Sequence, residues 1–173
     1  MPASTVLDLF NGADGDALTT HTPDLADLSW TTHASWGNAC SIYGNRARQG
    51  QNESVAYLSL AVPSRASEAW GVEAPVYYAA AQTGAYGGVW AGVTGAKTGY
   101  VVYWYGGDWT LYKYVAGVGS SLGTWTGSFS VGDTKTVRMR FTSTQVIVSI
   151  DGTDRITATD SSITPTRLGV YGA

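Results

Sequence analysis

The sequence predicts an all-β sandwich of two antiparallel sheets, and three observations lead to this prediction. Charged residues make up 13% of the 173 residues and hydrophobic residues 44%, which is enough apolar surface to build a core. Glycine, tryptophan and tyrosine are abundant, at 22, 7 and 11 residues, as is typical of β-rich domains. Short segments with a period of two recur between turn signals, and no long segment has a helical period.

The first half of the chain is expected to hold short strands separated by polar loops. Residues 64–73 tolerate a helix, but Gly71 and Pro75 interrupt it. The Gly/Ala-rich run 83–99 contains interleaved aromatic and Val residues, which favours a strand with close backbone approach or a bulge. Strands are predicted at residues 5–10, 30–36, 41–48, 54–62 and 76–80, with a polar loop over 11–28.

The second half gives clearer signals. Residues 100–105 and 109–115 flank Gly-Gly-Asp and predict a hairpin. Residues 116–134 are expected to form a loop with a short strand near 124–129 and a turn at 131–133. In 136–141, Val137, Met139 and Phe141 are expected to point inward and Arg138 and Arg140 outward. Strands at 145–151, 155–159 and 168–171 follow, with a turn at Asp151–Gly152.

Charge and cysteine content narrow the classes of partner and compartment. The net charge is −3 with a pI of about 5.1, and no basic stripe appears, which argues against nucleic acid as a partner. Cys40 is the single cysteine, so no intramolecular disulfide can form, and a small core residue is expected there. No secretory signal and no apolar run of about 20 residues appears, so membrane insertion is not expected. We expect one domain over residues 1–173, without linker or repeat.

Four segments resemble concanavalin A-like (laminin G-like) jelly-roll domains. These segments are DLFNGADGDAL (8–18), IYGNRAR (42–48), residues 98–125 with the central hairpin, and residues 131–172 with the last three strands. The resemblance implies a jelly-roll sandwich in which residues 5–10 lie beside residues 167–172. Such domains occur as sugar-binding modules, as parts of glycosidases and as structural or adhesive parts of bacteriophage particles, so the fold alone does not give the function.

Catalytic residues are not evident in the sequence. Glycoside hydrolysis normally uses two carboxylates facing one cleft, and the related glucanases carry a Glu-x-Asp-x-x-Glu arrangement. The three glutamates here, at positions 53, 68 and 73, do not form it. His21 and His33 have no nucleophile motif beside them, and Asp151 and Asp154 flank a turn glycine. The expectation is therefore a protein that is not an enzyme.

The loop after the first predicted strand offers weak metal ligands. Asn11, Asp14 and Asp16 are oxygen donors close together in a Gly-containing loop, a pattern that suits Ca²⁺. The spacing and terminal glutamate of an EF-hand are missing. An Asx-type turn is the favoured interpretation, with no cofactor, and a structural Ca²⁺ ion is the alternative.

Aromatic residues are the main candidates for a binding site. Tryptophan and tyrosine stack on sugar C–H faces and add a polar group. Both faces of the hairpin over 100–115 carry rings, so at least one set is expected near solvent. Core packing and a subunit interface are the alternatives, and Trp30 and Trp36 are expected in the core. The candidate ligand-binding residues are Trp90, Tyr103, Trp104, Trp109 and Tyr112.

Two functions from different classes remain. The first is a non-catalytic virion surface protein of a bacteriophage, a head-decoration or tail-associated module that docks on capsid or tail proteins and adheres to host surface glycans. It would be located in the virion, and a homo-oligomer is compatible with it. The alternative is a carbohydrate-binding, lectin-like module, and a glycosidase-like enzyme is disfavoured by the missing glutamate pair.

Overall fold

A computed structural model of the chain describes residues 12–24, 29–36, 40–42, 47–49, 54–58, 70–78 and 87–172. These residues contain thirteen strands and two short 3₁₀ turns, Leu18–Thr20 and Ala34–Trp36. Within them, no helix reaches the length and apolarity that crossing a bilayer requires. The strands are β1 Trp30–Thr32, β2 Cys40–Ile42, β3 Ala47–Gln49, β4 Ser54–Leu58, β5 Trp70–Tyr77, β6 Gly87–Gly92, β7 Gly99–Tyr105, β8 Asp108–Val115, β9 Val118–Thr126, β10 Thr134–Phe141, β11 Gln145–Ile150, β12 Thr153–Thr159 and β13 Arg167–Gly172.

Two antiparallel sheets pack face to face, as the sequence predicts. The larger has seven strands in the order β1-β4-β13-β6-β7-β8-β9, and the smaller has four in the order β12-β11-β10-β5. A separate two-stranded sheet pairs β2 with β3. The predicted strand at 5–10, and with it the expected pairing to residues 167–172, lies outside the described residues.

The core between the sheets follows the alternation of the strands. Val137, Met139 and Phe141 of β10 are fully buried, as predicted, while Arg138 is exposed and Arg140 is half-buried. From the larger sheet, β6, β7 and β8 contribute inward side chains to the same core, among them Tyr100, Val102, Trp104, Trp109 and Leu111. Since every second residue of these strands faces this core, the remaining residues must point away from it.

Three tight hairpins set the register of the strands. Their turn residues are Gly106–Gly107, Ala116–Gly117 and Asp151–Gly152, and all six have positive φ, as type I′ turns require. The predicted hairpin at Gly-Gly and the predicted turn at Asp151–Gly152 are both confirmed. The register places Trp104 opposite Trp109 and Tyr105 opposite Asp108.

Some predicted elements were wrong or misplaced. Residues 116–134 are expected to hold a loop and a short strand near 124–129, but the strand found there, β9, is nine residues long, begins at Val118 and ends at Thr126. Gly and Ser hide its alternation. Ala116 adopts a turn conformation (φ 49°) that is uncommon for alanine. β5 (Trp70–Tyr77) covers the end of the helix-tolerant segment 64–73 and the start of the strand predicted at 76–80. This strand accommodates Pro75 because it lies at the edge of its sheet. The strand predicted at 30–36 ends at Thr32, and the described residues within 41–48 belong to β2 (Cys40–Ile42) and β3 (Ala47–Gln49), which pair with each other.

A polar contact joins the two sheets at one end of the core. The Tyr100 hydroxyl donates to Asp160 Oδ1 at 2.6 Å, and the Lys113 ammonium donates to Oδ2 at 2.7 Å. The Ser162 amide and hydroxyl also donate to Oδ1, at 2.9 and 2.7 Å. Burial opposes ionisation of Asp160, but these hydrogen bonds outweigh it and hold the pKa of Asp160 well below its usual range. Asp160 therefore binds β7 and β8 as an anion.

Candidate functional site

The outer face of the seven-stranded sheet carries a concentration of rings. The registers of β4, β13, β6, β7 and β8 align the outward residues in transverse rows: one row runs Tyr57, Gly169, Trp90, Val101 and Tyr112, and the next runs Val55, Tyr171, Gly88, Tyr103 and Thr110. We call this surface the aromatic face, and its rings are Trp36, Tyr57, Trp90, Tyr103, Tyr112, Tyr114 and Tyr171.

Glycines between the rings allow them to lie close to the sheet. A Cβ atom on Gly92 or Gly99 would lie 2.4 Å and 3.0 Å from atoms of the Trp90 ring, so this ring rests on the glycine backbone. Gly88 separates Tyr103 from Tyr171 in their row, and those two rings approach to a 5.2 Å centroid distance. The sequence places glycines where side chains would keep the rings apart.

Three tyrosines stack on one another instead of lying flat. Tyr103 and Tyr112 are nearly parallel, at 3°, with centroids 5.3 Å apart, and Tyr103 also stacks on Tyr171. The faces by which these three rings stack are therefore covered by one another. Tyr103 and Tyr112 are half-buried and Tyr171 is buried, so part of the Tyr103 and Tyr112 side chains remains accessible to a ligand.

Three phenol groups converge at the surface of the aromatic face. The hydroxyls of Tyr112 and Tyr114 are hydrogen-bonding partners of the Tyr103 hydroxyl. Burial, together with the two neighbouring phenols, raises the pKa of Tyr103 well above its ordinary value. Tyr103 therefore stays neutral, and the group offers hydroxyls that can both donate and accept hydrogen bonds.

Trp36 and Lys97 lie over one side of the aromatic face. The Trp36 ring contacts Tyr114 and Tyr171 edge-on, at 4.8 and 5.7 Å. The Lys97 ammonium lies 4.4 Å from the Trp36 centroid and 5.2 Å from that of Tyr114, which is cation–π geometry. A positive charge is thus held on the rings of Trp36 and Tyr114.

His33 fixes the loop that carries Lys97. The backbone amide of Ser35 donates to His33 Nδ1 at 3.2 Å, so Nε2 carries the proton and donates to the Val93 carbonyl at 2.8 Å. In the same loop, the Lys97 carbonyl accepts from the Gly117 amide at 2.9 Å. These contacts tie the β6–β7 loop to the first strand and to the β8–β9 turn.

The structure divides the predicted ligand-binding residues into two groups. Tyr103 and Tyr112 lie half-buried on the aromatic face. Trp90 lies on the same face but is fully buried beneath its neighbours. Trp104 and Trp109 point to the opposite side of the hairpin and are buried between the sheets, which corresponds to the core alternative; a flat, exposed platform of all five rings is not present.

Residues that the sequence analysis did not select complete the aromatic face. Tyr114 shares a face with Tyr112, and the hairpin register could have identified it. Tyr57 and Lys97 lie far from this hairpin in sequence, and no local pattern links them to it. Trp30 and Trp36 are buried as expected, and so is Cys40.

The acidic candidates lie elsewhere. Asp16 Oδ2 accepts from the Ala13 amide at 3.0 Å, and the Ala13 carbonyl accepts from the Asp16 amide at 3.1 Å. This side chain therefore closes a turn backwards over three residues, which differs from the Asx-type turn that the sequence favours, in which the bonded amide lies two residues further on. Asn11 lies outside the described residues. Among the residues that are described, no group of three or more His, Cys, Asp or Glu side chains is arranged to hold a metal ion. Glu73 lies on β5 of the other sheet, opposite Arg138.

Comparison with known proteins supports the fold and leaves the sequence family undefined. No protein-family model and no curated protein matches the sequence. Among solved structures, carbohydrate-binding module CBM66 from Bacillus subtilis is similar with a TM-score of 0.65 at 15% identity, covering 82% of this chain and 86% of the module. The β-glucanase of Bacillus licheniformis has a TM-score of 0.59 at 13% identity, covering 100% of this chain and 87% of the glucanase.

A third similar structure is the carbohydrate recognition domain of Emp46p in its potassium-bound form, with a TM-score of 0.54 at 11% identity and coverage of 83% and 80%. Together these likenesses show that the chain has the concanavalin A-like jelly-roll fold, as the sequence resemblance implies. The structural neighbours include binding modules and enzymes, so the fold is common to both classes.

Proposed function

We propose that the protein is a non-catalytic, carbohydrate-binding module that uses the aromatic face. The observation that carries this proposal is a cluster of three phenol hydroxyls on a rigid sheet, those of the half-buried residues Tyr103, Tyr112 and Tyr114. Sugars present closely spaced hydroxyls beside apolar C–H groups, and tyrosine offers matching chemistry in one side chain. The rings packed beneath keep these side chains in place, which lowers the entropy lost on binding.

Two further points support binding over hydrolysis. CBM66 and the Emp46p domain, both similar in fold, are named for carbohydrate binding. On the described strands of the aromatic face, the one outward carboxylate is Asp108, which accepts from the Thr126 hydroxyl at 2.6 Å, whereas glycosidases normally use a pair. Location in a phage particle stays a prediction, and it is compatible with this proposal because a virion protein can bind host glycans.

A glycan array with three proteins tests the proposal. The wild type is expected to bind at least one glycan class, and Tyr112→Ala is expected to weaken that binding about tenfold, equivalent to about 1.4 kcal/mol. Tyr77→Ala is the matched control, because Tyr77 is 37% exposed on β5 of the other sheet; it should bind like the wild type. An array without signal, or equal binding by wild type and Tyr112→Ala, would contradict the proposal.

A further inference from the structure

One end of the aromatic face is positively charged. Lys97 lies there on the rings of Trp36 and Tyr114. Arg167 lies at the same end, because strand pairing places it in one transverse row with Tyr114. In that row Arg167 pairs with Gly92, Gly92 pairs with Gly99, and Gly99 pairs with Tyr114. Strand alternation points Arg167 away from the core, because Leu168 beside it packs inward. Two cations therefore border the end of the face where Tyr114 lies.

Negative charge is placed at the opposite end. Asp108 lies on β8 six residues before Tyr114, a separation of about 20 Å along the strand. At that distance, and with solvent ions present, Asp108 cancels little of the field of Lys97. Among the described residues of the aromatic face, Lys97 and Arg167 thus lie at one end, which we call the cationic end, and the Asp108 carboxylate lies at the other.

The position of Lys97 is fixed before any ligand arrives. Its carbonyl accepts from the Gly117 amide at 2.9 Å, and the Thr98 hydroxyl accepts from the Ala116 amide at 2.9 Å. The hydrogen bond from His33 to Val93 holds the start of the same loop. Lys97 and the Tyr114 phenol therefore form a set of donors on anchored backbone, where little ordering is needed to meet an anionic acceptor.

The phenol of Tyr103 remains a neutral donor in this setting. Since burial and the neighbouring phenols raise the pKa of Tyr103, this hydroxyl adds no negative charge that would repel an anion near neutral pH. The cationic end and the Tyr103 hydroxyl thus both favour the binding of an anionic ligand.

We propose that the ligand of the aromatic face is an anionic glycan, with its carboxylate or sulfate held between Lys97 and the hydroxyl of Tyr114 and its ring hydroxyls on Tyr103 and Tyr112. This inference rests on the proposed carbohydrate-binding function and adds the charge of the ligand. A neutral sugar would bind through the tyrosine hydroxyls alone and would gain nothing from the charge of Lys97.

Matched pairs of polysaccharides test this assignment by isothermal titration. Polygalacturonate is compared with its methyl ester, and dextran sulfate with dextran, so the first pair reports carboxylate and the second sulfate recognition. At least one anionic member should bind about tenfold more tightly than its neutral partner. Raising NaCl from about 50 to about 500 mM should reduce that difference, because salt screens exposed charges.

Charge-matched variants identify the residue responsible. Lys97→Gln should abolish the preference for the anionic member, and Lys97→Arg should retain most of it. Lys135→Gln removes the same unit of charge from the four-stranded sheet, where Lys135 pairs with Asp151 at 2.8 Å, and it should retain the preference. Circular dichroism confirms that each variant is folded.

The outcomes separate this inference from the proposed function. Equal binding of charged and neutral members, lost in Tyr112→Ala, would overturn the anionic assignment and keep carbohydrate binding. Equal weakening by Lys97→Gln and Lys135→Gln would assign the preference to overall charge and also overturn it. Binding to none of the four polysaccharides overturns the inference, and a silent glycan array in addition overturns the function.

Discussion

The outer faces of the two sheets differ in the kind of contacts that their side chains make. On the four-stranded sheet the outward groups are mostly polar, with Ile147 and Tyr77 as exceptions: Arg140 forms an ion pair with Asp154, and the Ser149 hydroxyl donates to Asp154 at 2.6 Å. On the seven-stranded sheet the outward groups are largely aromatic, and tyrosines such as Tyr103 and Tyr112 pack on one another.

Of the two outer faces, the one on the four-stranded sheet has the mostly polar surface that is ordinary for a sheet exposed to solvent. A solvated sheet face carries polar residues that need no partner beyond water and each other. The aromatic face instead keeps large rings in a half-buried layer, which resembles the preformed, ring-lined character of ligand sites. Stability experiments on the core and on each face can test whether the two faces differ in role.

The largest expected effect is that of a charge placed between the two sheets. Val148 is fully buried on β11, opposite Met139 and Ile156. Val148→Asp buries a carboxylate without a partner, at a cost of several kcal/mol that is comparable to the whole stability of a domain. We expect an unfolded chain by circular dichroism.

A surface substitution provides the control for this prediction. Thr159 is exposed at the end of β12, so Thr159→Asp leaves the new carboxylate in water and should leave the protein folded. A cooperative, near-wild-type urea transition for Val148→Asp would show that the core does not lie where the two sheets meet.

Neighbouring strands of one hairpin allow the core and the aromatic face to be compared directly. Trp109 is fully buried between the sheets and Tyr103 is half-buried on the aromatic face. Trp109→Ala should lower the free energy of unfolding by about 3–5 kcal/mol, whereas Tyr103→Phe, which removes only the hydroxyl, should cost about 1 kcal/mol. Urea unfolding followed by fluorescence measures both.

The role of Trp109 depends on this result. If Trp109→Ala is as stable as the wild type, the ring is not part of the core, and its predicted place in a binding site would be restored. A folded but weakly binding Tyr103→Phe variant would instead assign ligand contact to the outer side of the hairpin alone.

The sequence predicted which residues face inward more accurately for β10 of the four-stranded sheet than for β7 of the seven-stranded sheet, and the reason is the pattern of alternation. In β10, apolar and charged residues alternate, so Met139 inward and Arg138 outward follow from the sequence. In β7, Tyr103 and Trp104 are both aromatic, and a period of two cannot tell the buried side from the half-buried side. Both faces of that strand satisfy the hydrophobic criterion.

The candidate site was predictable only in part for a related reason. Tyr103 and Tyr112 meet through a hairpin whose Gly-Gly turn fixes the register, which is local information. Tyr57 and Lys97 reach the same face through β4 and the β6–β7 loop, and their positions depend on strand order. Such long-range pairing is not encoded in any short segment.

A smaller effect is expected from adding a methyl group to Gly88 on β6, which lies between Tyr103 and Tyr171 in the sheet. A Cβ atom on Gly88 would lie 1.8 Å from the Val102 carbonyl oxygen, so Gly88→Ala must move backbone in a central strand. We expect a loss of about 2–3 kcal/mol in the free energy of unfolding, together with a changed near-ultraviolet spectrum, because the displaced β7 backbone carries Tyr103.

Gly119→Ala is the control, because its Cβ would meet only the movable Tyr114 ring, at 2.8 Å, on an edge strand. It should cost less than Gly88→Ala. The reverse order of stabilities would contradict the close approach of Gly88 to the backbone of β7.

The smallest effect concerns acid stability, and it distinguishes a part-buried carboxylate from an exposed one. Folding lowers the pKa of Asp160, so its contribution to stability is present above the unfolded pKa of about 3.9 and is lost as the pH falls towards the folded value. Asp160→Asn should cost about 1–3 kcal/mol at pH 7 and flatten the decline in stability below about pH 4.

Asp154 on the polar face gives the comparison, because hydrogen bonding to Ser149 and the nearby Arg140 also lower its pKa. Its side chain is 49% exposed, so solvent and salt screen the interaction, and Asp154→Asn should cost less than about 1 kcal/mol. Urea midpoints from pH 2 to 7, at low and high salt, measure both variants. Equal losses for Asp154 and Asp160 would mean that the contact between the sheets contributes no more than a surface ion pair.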